Sequence, residues 1–315
     1  MSAMIRPAAL VGAFVVGWFF PQGAALRPLI PWFVGFMLFM TFLGLDVHKM
    51  AVRRSHIAIV IFNILIGVGG YQIVCFLSSE KSLALATFFA GMAPTATAAP
   101  AIARFLKRES EYIVTGLLLT TACVTIALPF LIPWVLQEEY AGGKFFVGVL
   151  SVAKSVATTL VLPIVLARTH RAIFPSSKTW TERFKNVTFV VWILMVVIIA
   201  CRASAFIRDP ANGVSPTILF YVGASSLIVC VANFTIGYFI GEKEYRAEAS
   251  QTLGQKNTAV MICFATLYTG PLASLGPTIY VLWHNLWNAA QLALVARQDR
   301  KALHAEKTAA NNHAE

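Results

Sequence analysis

Gln251-Thr252-Leu253-Gly254-Gln255-Lys256-Asn257-Thr258 is a polar island with apolar sequence on its far side, running to about residue 269. A lysine at the centre of a bilayer costs at least about 2.5–3.5 kcal/mol, so its retention there marks a functional position. Gly254 lets the backbone unwind at that point. Two placements for Lys256 follow from the sequence. Either it sits at mid-membrane in a broken helix, or, with Glu248 only eight residues earlier, it snorkels to the inner surface.

Outward from the island, the same apolar texture covers nearly the whole chain. The 315 residues are 58% hydrophobic and only 12% charged, and the mean hydropathy is +0.72. A soluble domain carries about 25% charged residues. A hydrocarbon core about 30 Å thick needs roughly 20 apolar residues per helix, and lipid leaves an open sheet edge without partners. The sequence reads as an all-α integral membrane protein of ten transmembrane helices. They cover about 7–20, 28–46, 56–78, 82–103, 111–136, 145–167, 185–201, 216–240, 248–269 and 276–296. Pro21-Gln22-Gly23, Ala141-Gly142-Gly143 and Asp209-Pro210-Ala211-Asn212-Gly213 punctuate the joints. Residues 1–297 form one transporter-type domain, and 298–315 read as a disordered cytoplasmic tail. The first apolar segment, after Arg6 and before Gly23-Ala24-Ala25, also fits a cleaved signal.

Charge placement tests the helix number. With the N-terminus inside, the inner segments hold Arg6; Lys49, Arg53 and Arg54; Arg104, Lys107 and Arg108; Arg168, Arg171, Lys178, Arg183 and Lys185; Lys243 and Arg246; and Arg297, Arg300, Lys301 and Lys307. The outer joints hold Arg27, Lys81, Lys144, Arg202 and Arg208, while Lys154 and Lys256 fall inside helices. This positive-inside pattern puts both termini in the cytoplasm. It accounts for the net charge of +11 without a nucleic-acid partner. Two sets of five helices, about 1–140 and 141–297, make the second set an inverted copy of the first, a common transporter plan.

The second break is in the fourth helix, where Ala93-Pro94-Thr95-Ala96-Thr97-Ala98-Ala99-Pro100 places two prolines six residues apart. Each proline removes a donor and clashes one turn back. Transporters bind substrate where half-helices meet at mid-membrane. Thr95, Thr97, Thr252, Gln255, Lys256 and Asn257 are therefore the candidate substrate- or ion-binding residues, followed by Thr121 and Asn285. Asn63, Gln72, Thr120, Thr125 and Asn233 read as interhelical glue. Lys154 reads as the partner of a carbonyl or as the lining of a wet cavity. Trp283-His284-Asn285 with Asn288 is a further polar cluster. Cys75, Cys123, Cys201, Cys230 and Cys263 show no metal-type spacing, and the expectation is no disulfide, metal or cofactor. No paired carboxylates or nucleophile–base set lies at membrane depth, which argues against a membrane enzyme.

With these residues in view, the chain resembles the bile acid:sodium symporter family. The likeness is strongest over Gly276-Pro277-Thr278-Ile279-Tyr280-Val281-Leu282-Trp283-His284-Asn285. Gly254 through Thr258 is similar to the family's ninth-helix E-x-G-x-Q-N signature, and Pro94 through Ala98 to its P-G-G-T-A-S-N break. Ile30 through Leu45 and Leu162 through Leu166 resemble its second and sixth helices. The resemblance implies a panel domain (helices one, two, six and seven) and a core domain in which helices four and nine cross. It implies transport of a small or amphipathic organic anion across an inner or plasma membrane by alternating access.

The departures bear on the coupling ion. The family's ninth-helix glutamate position is Thr252 here, its glutamine position is Lys256, and its fourth-helix Ser-Asn pair becomes Ala99-Pro100. An ammonium 4 Å from a sodium ion repels it by about 4 kcal/mol at an effective dielectric near 20. Ordinary sodium coupling is not expected. Lys256 would stand in for the bound cation, or exchange a proton during the cycle. Rival readings are a metalloid-oxyanion efflux permease of related fold and a retinal protein with Lys256 as Schiff base. The first needs a thiol near the fourth-helix break, where the nearest cysteine in sequence is Cys75.

Overall fold

The structure is a computed structural model that describes residues 12–13, 15–45, 51–106, 108–137, 139–140, 142–212 and 214–312. Arg6, Lys49, Lys107, Ala141 and Gly213 lie outside the described residues. Among the described residues the fold is all-helical, with a single isolated β-bridge, between Thr95 and Lys256.

A 3-10 segment, Pro21–Leu29, leads into α1 (Ile30–Gly44). Then follow α2 (Arg54–Leu77), α3 (Lys81–Met92), α4 (Ala99–Phe105) and α5 (Ser110–Val135). A tight turn with Gly142 at φ +67° and Gly143 at φ +84° leads to α6 (Phe145–Val156). A π-turn at Ala157–Val161 joins α6 to α7 (Leu162–Ile173), after which come α8 (Trp180–Arg183) and α9 (Lys185–Arg208). The last four are α10 (Pro216–Ile240), α11 (Arg246–Gly254), α12 (Thr258–Tyr268) and α13 (Pro271–Asn312).

Six segments of 24–29 residues are long and apolar enough to cross a membrane. At 1.5 Å per residue each exceeds the roughly 30 Å hydrocarbon core. α3 and α12 are equally apolar but have only 12 and 11 residues, about half a crossing each. The outward surface is apolar too: Phe76 is 90% exposed, Trp32 78% and Phe146 78%. Exposed apolar area on this scale needs a hydrophobic surrounding. The chain is a helical membrane protein.

The last helix runs on to Asn312, which corrects the expectation of a disordered tail after 297. Residues 291–307 are dominated by Ala, Leu, Gln, Arg, Lys and Glu, the strongest helix formers, so polarity there does not end the helix.

The helices pack in two sets. The 3-10 segment, α1, α7 and α9 lie against one another. α2, α3, α10, α11, α12 and α13 make up the second set with α4 and α5. Small residues allow close approach within it. A Cβ added to Gly276 of α13 would lie 2.2 Å from the Ala86 carbonyl oxygen of α3, and one on Gly91 would lie 2.8 Å from Gly67 Cα of α2.

The obstacle at Gly276 is backbone, which cannot rotate away. Gly276→Ala is therefore expected to destabilise the protein by about 1–3 kcal/mol. A melting curve of the detergent-solubilised chain, read against a surface change such as Phe76→Leu, checks this.

Candidate functional site

Helical backbone stops twice at mid-chain, and the two stops meet. α3 ends at Met92 because Pro94 cannot donate and restricts the residue before it. α11 ends at Gly254. The two extended stretches then pair: Ala96 N–H donates to the Gln255 carbonyl at 2.7 Å, and Asn257 N–H to the Pro94 carbonyl at 2.7 Å. Side chains close three more carbonyls. Thr95 Oγ1 donates to Thr252 O at 2.7 Å, Tyr280 Oη to Gly254 O at 2.7 Å, and Asn63 Nδ2 to Met92 O at 3.2 Å.

Lys256 stands at this crossing and is 2% exposed. The snorkelling placement is thereby overturned: the side chain turns inward, and Nζ donates to Asn63 Oδ1. Asn63 thus links the lysine amine to the last carbonyl of α3, that of Met92. α11 also presents its C-terminus here. A helix C-terminus carries roughly half a negative charge, so the Lys256 amine faces two negative helix ends. The opposite ends, the N-termini of α4 and α12, lie across the crossing.

On that side is a cavity of about 220 Å³. One wall comes from the crossing: Ala96, Thr97 and Ala98, with Gln255, Lys256, Asn257, Thr258 and Ala259. The facing wall comes from the other packing set, with Val34, Met37, Leu38 and Thr41 on α1 and Lys185, Thr188, Phe189 and Trp192 on α9. Val281, His284 and Asn285 of α13 lie alongside. Lys185 is paired with the nearby Glu182 carboxylate, and both side chains are exposed.

Of the residues picked from the sequence, Thr97, Gln255, Lys256, Asn257 and Asn285 line the cavity, and Thr95, Thr252 and Thr121 do not. Thr95 Oγ1 is shared between Thr252 O and Thr120 Oγ1. Thr252 Oγ1 donates to Glu248 O. Both hold the crossing from behind. Gln255 lines the cavity but spends its amide on Gln251 Oε1 at 2.8 Å and Asn288 Oδ1 at 2.6 Å. Asn63, read as glue, is the lysine's partner. Gln72 is exposed, and Asn233 Nδ2 bonds its own helix at Val229 O. Lys154 matches neither expectation: it is exposed on the flank of α6. Cys230, not Cys75, is the cysteine beside the crossing, within bonding reach of the Tyr280 hydroxyl. A different helix supplies it, so spacing in sequence did not point to it.

The whole of the α1 and α9 wall went unassigned from sequence. α9 is apolar through its middle, from Phe189 to Ala200, and there only Trp192, a wide polar-edged ring in an aliphatic run, hints at a wall. No group of three or more His, Cys, Asp or Glu side chains suited to a metal occurs among the described residues. No family model matches the chain, and no characterised protein is significantly similar to it in sequence.

Removing one partner of a buried polar pair strands the other, whereas replacing both by apolar groups is nearly neutral. Asn63→Leu is expected to lower stability by about 1–3 kcal/mol, and adding Lys256→Met should recover most of the loss. Additive losses in a double-mutant cycle of melting temperatures would show that the two side chains do not interact.

Proposed function

We propose that the chain is a secondary transporter that carries a small organic anion by alternating access, without sodium. The observation that carries this reading is Lys256, buried where two broken helices cross and bordering a cavity between two packing sets. In this reading α3 with α4 and α11 with α12 each complete one crossing. Together with the expected first helix at about 7–20, much of which lies outside the described residues, the segments then make ten spans in two inverted sets of five, with both termini on the cytoplasmic side of an inner or plasma membrane. The set holding α1, α7 and α9 is the panel, and the other is the core. This is the arrangement that the resemblance to bile acid:sodium symporters implies.

The chemistry of the cavity supports an anion. Asn257, Thr258 and Ala259 open α12, whose N-terminal N–H groups and dipole favour negative charge. Thr97 and Asn285 add donors, while Phe189, Trp192, Met37 and Leu38 offer an apolar body its surface. Ligand pockets for drug-sized molecules run from about 300 to 1,000 Å³. The 220 Å³ here suits a compact monocarboxylate better than a rigid polycyclic acid.

The same geometry supports independence from sodium. In the family pattern an oxygen-bearing side chain would sit at the position of Lys256, and a carboxylate at that of Thr252. Here the ammonium itself answers the negative helix ends, and its charge repels a second cation. Anion binding and panel–core rocking then need no ion to assemble the site. The lysine's other role, taking up and releasing a proton, gives a pH-driven version of the same cycle.

Uptake of labelled small carboxylates into proteoliposomes tests both parts. Uptake should be the same in sodium and potassium media, and Lys256→Gln should reduce it more than about tenfold, the equivalent of 1.4 kcal/mol. Strict sodium dependence, or full activity in Lys256→Gln, would overturn the assignment of Lys256 as the built-in cation.

A further inference from the structure

A second cavity, of about 310 Å³, lies further along the same two helices. It is lined by Arg27, Ile30 and Pro31 on one side and by Cys263, Thr266 and Leu267 of α12 on the other. Thr266 is 5% exposed, and its Oγ1 has no hydrogen-bond partner. Most threonines in a helix donate to the carbonyl four residues back, as Thr120, Thr125 and Thr252 do here. Thr266 does not, and a buried hydroxyl left without a partner costs about 1–3 kcal/mol.

Arg202 of α9 reaches the backbone of one of these lining residues. Its Nη1 donates to the Thr266 carbonyl at 3.3 Å, which uses one of five N–H donors. Arg202 and Arg27 are near enough to repel each other, and neither makes an ion pair with a described acidic residue. Arg27 and the unused Thr266 hydroxyl therefore face one small space, Arg202 reaches the backbone beside it, and no acid is among the described residues that line it.

We propose that this cavity is a second anion-binding site, which takes a carboxylate or phosphate group on Arg27, Arg202 and the Thr266 hydroxyl. An anion there offsets the Arg–Arg repulsion and gives Thr266 Oγ1 an acceptor. Guanidinium forks match the planar spread of such oxygens.

Its position gives the site a role. Val34 and Ala259 line the central cavity, and Ile30 and Cys263 line this one. Each pair is four residues apart on one helix, so about one turn, near 6 Å, separates the two cavities. Ile30, Val34 and Cys263 are 0–1% exposed and belong to one packed cluster. The second site thus holds an anion at the far end of the proposed path, behind a barrier one turn thick. That role rests on the transport reading; the binding does not.

The purified full chain in detergent is titrated with inorganic phosphate at constant ionic strength, and its melting temperature is followed. A second arm reconstitutes it in phosphatidylcholine with and without phosphatidylglycerol. In wild type one of the two should stabilise the protein saturably. Arg202→Gln and Arg27→Gln should each weaken that effect by about tenfold or more, with Arg202→Lys between. A response to phosphate assigns the site to a free anion, and a response confined to phosphatidylglycerol assigns it to a lipid headgroup. Each supports the site. The absence of any response in wild type, or equal responses in wild type and both Gln variants, overturns it, whether or not the chain transports. If Arg202→Gln melts early without ligand, Arg27→Gln, which removes no internal hydrogen bond seen here, decides the matter.

Discussion

Hydrocarbon offers a backbone no hydrogen-bond partner, and the structure turns on how this chain meets that condition where its helices stop. Each break, alone, would leave several N–H and C=O groups bare at several kcal/mol apiece. The two breaks solve the problem jointly. Ala96 donates to Gln255 and Asn257 to Pro94, and the side chains of Thr95, Tyr280 and Asn63 reach three further carbonyls. Neither break is tolerable without the other, so the crossing fixes α3, α4, α11 and α12 as one unit. α2, α5 and α13 are held to it because they supply Asn63, Thr120 and Tyr280.

From that pairing the electrostatics follow. Breaking two helices creates four extra ends, two negative and two positive. The negative ends need a cation. In the proposed function Lys256 brings one covalently, on a side chain long enough to reach Asn63. The positive ends, freed of any internal anion, open on the cavity that faces α1 and α9. A covalent cation and an open anion-favouring face are two consequences of the same crossing, and the proposed function reads both together.

The sequence made the helix-breaking residues legible because proline, glycine and a lysine among apolar residues each carry a local physical meaning. The positions of the six long spans were also readable, since lipid imposes one length scale on every such helix. Pairing between the breaks was suggested only by resemblance, because main-chain bonds such as Ala96 to Gln255 leave no mark in side-chain identity. That Thr95 and Thr252 stand off the cavity was hidden for a related reason. A hydroxyl in a broken helix suits a ligand or a bare carbonyl equally well, and only the fold decides which it meets. The aliphatic and aromatic wall of Val34, Met37 and Phe189 left no signal, and Trp192 only a faint one. In a chain that is 58% hydrophobic, a residue facing a cavity and one facing lipid look alike.

The tail illustrates the opposite error. Polar composition after Arg297 suggested loss of structure, yet α13 continues to Asn312. Membrane burial and helix formation are separate demands. Hydropathy reports the first; the second needs only residues that lose little freedom in a helix, and Ala, Lys, Gln and Glu do so in water as well. An end of hydropathy in such a chain marks where the helix leaves lipid, not where it stops. The same distinction explains the breaks. α11 has little apolar character and is buried from Glu248 to Gly254, because its surroundings are protein. Its polar side chains, Gln251 among them, find partners on α13 and within the crossing. A polar island inside a membrane protein is therefore evidence of protein contact at that depth, and the cavity it borders is where that contact gives way to space for a ligand.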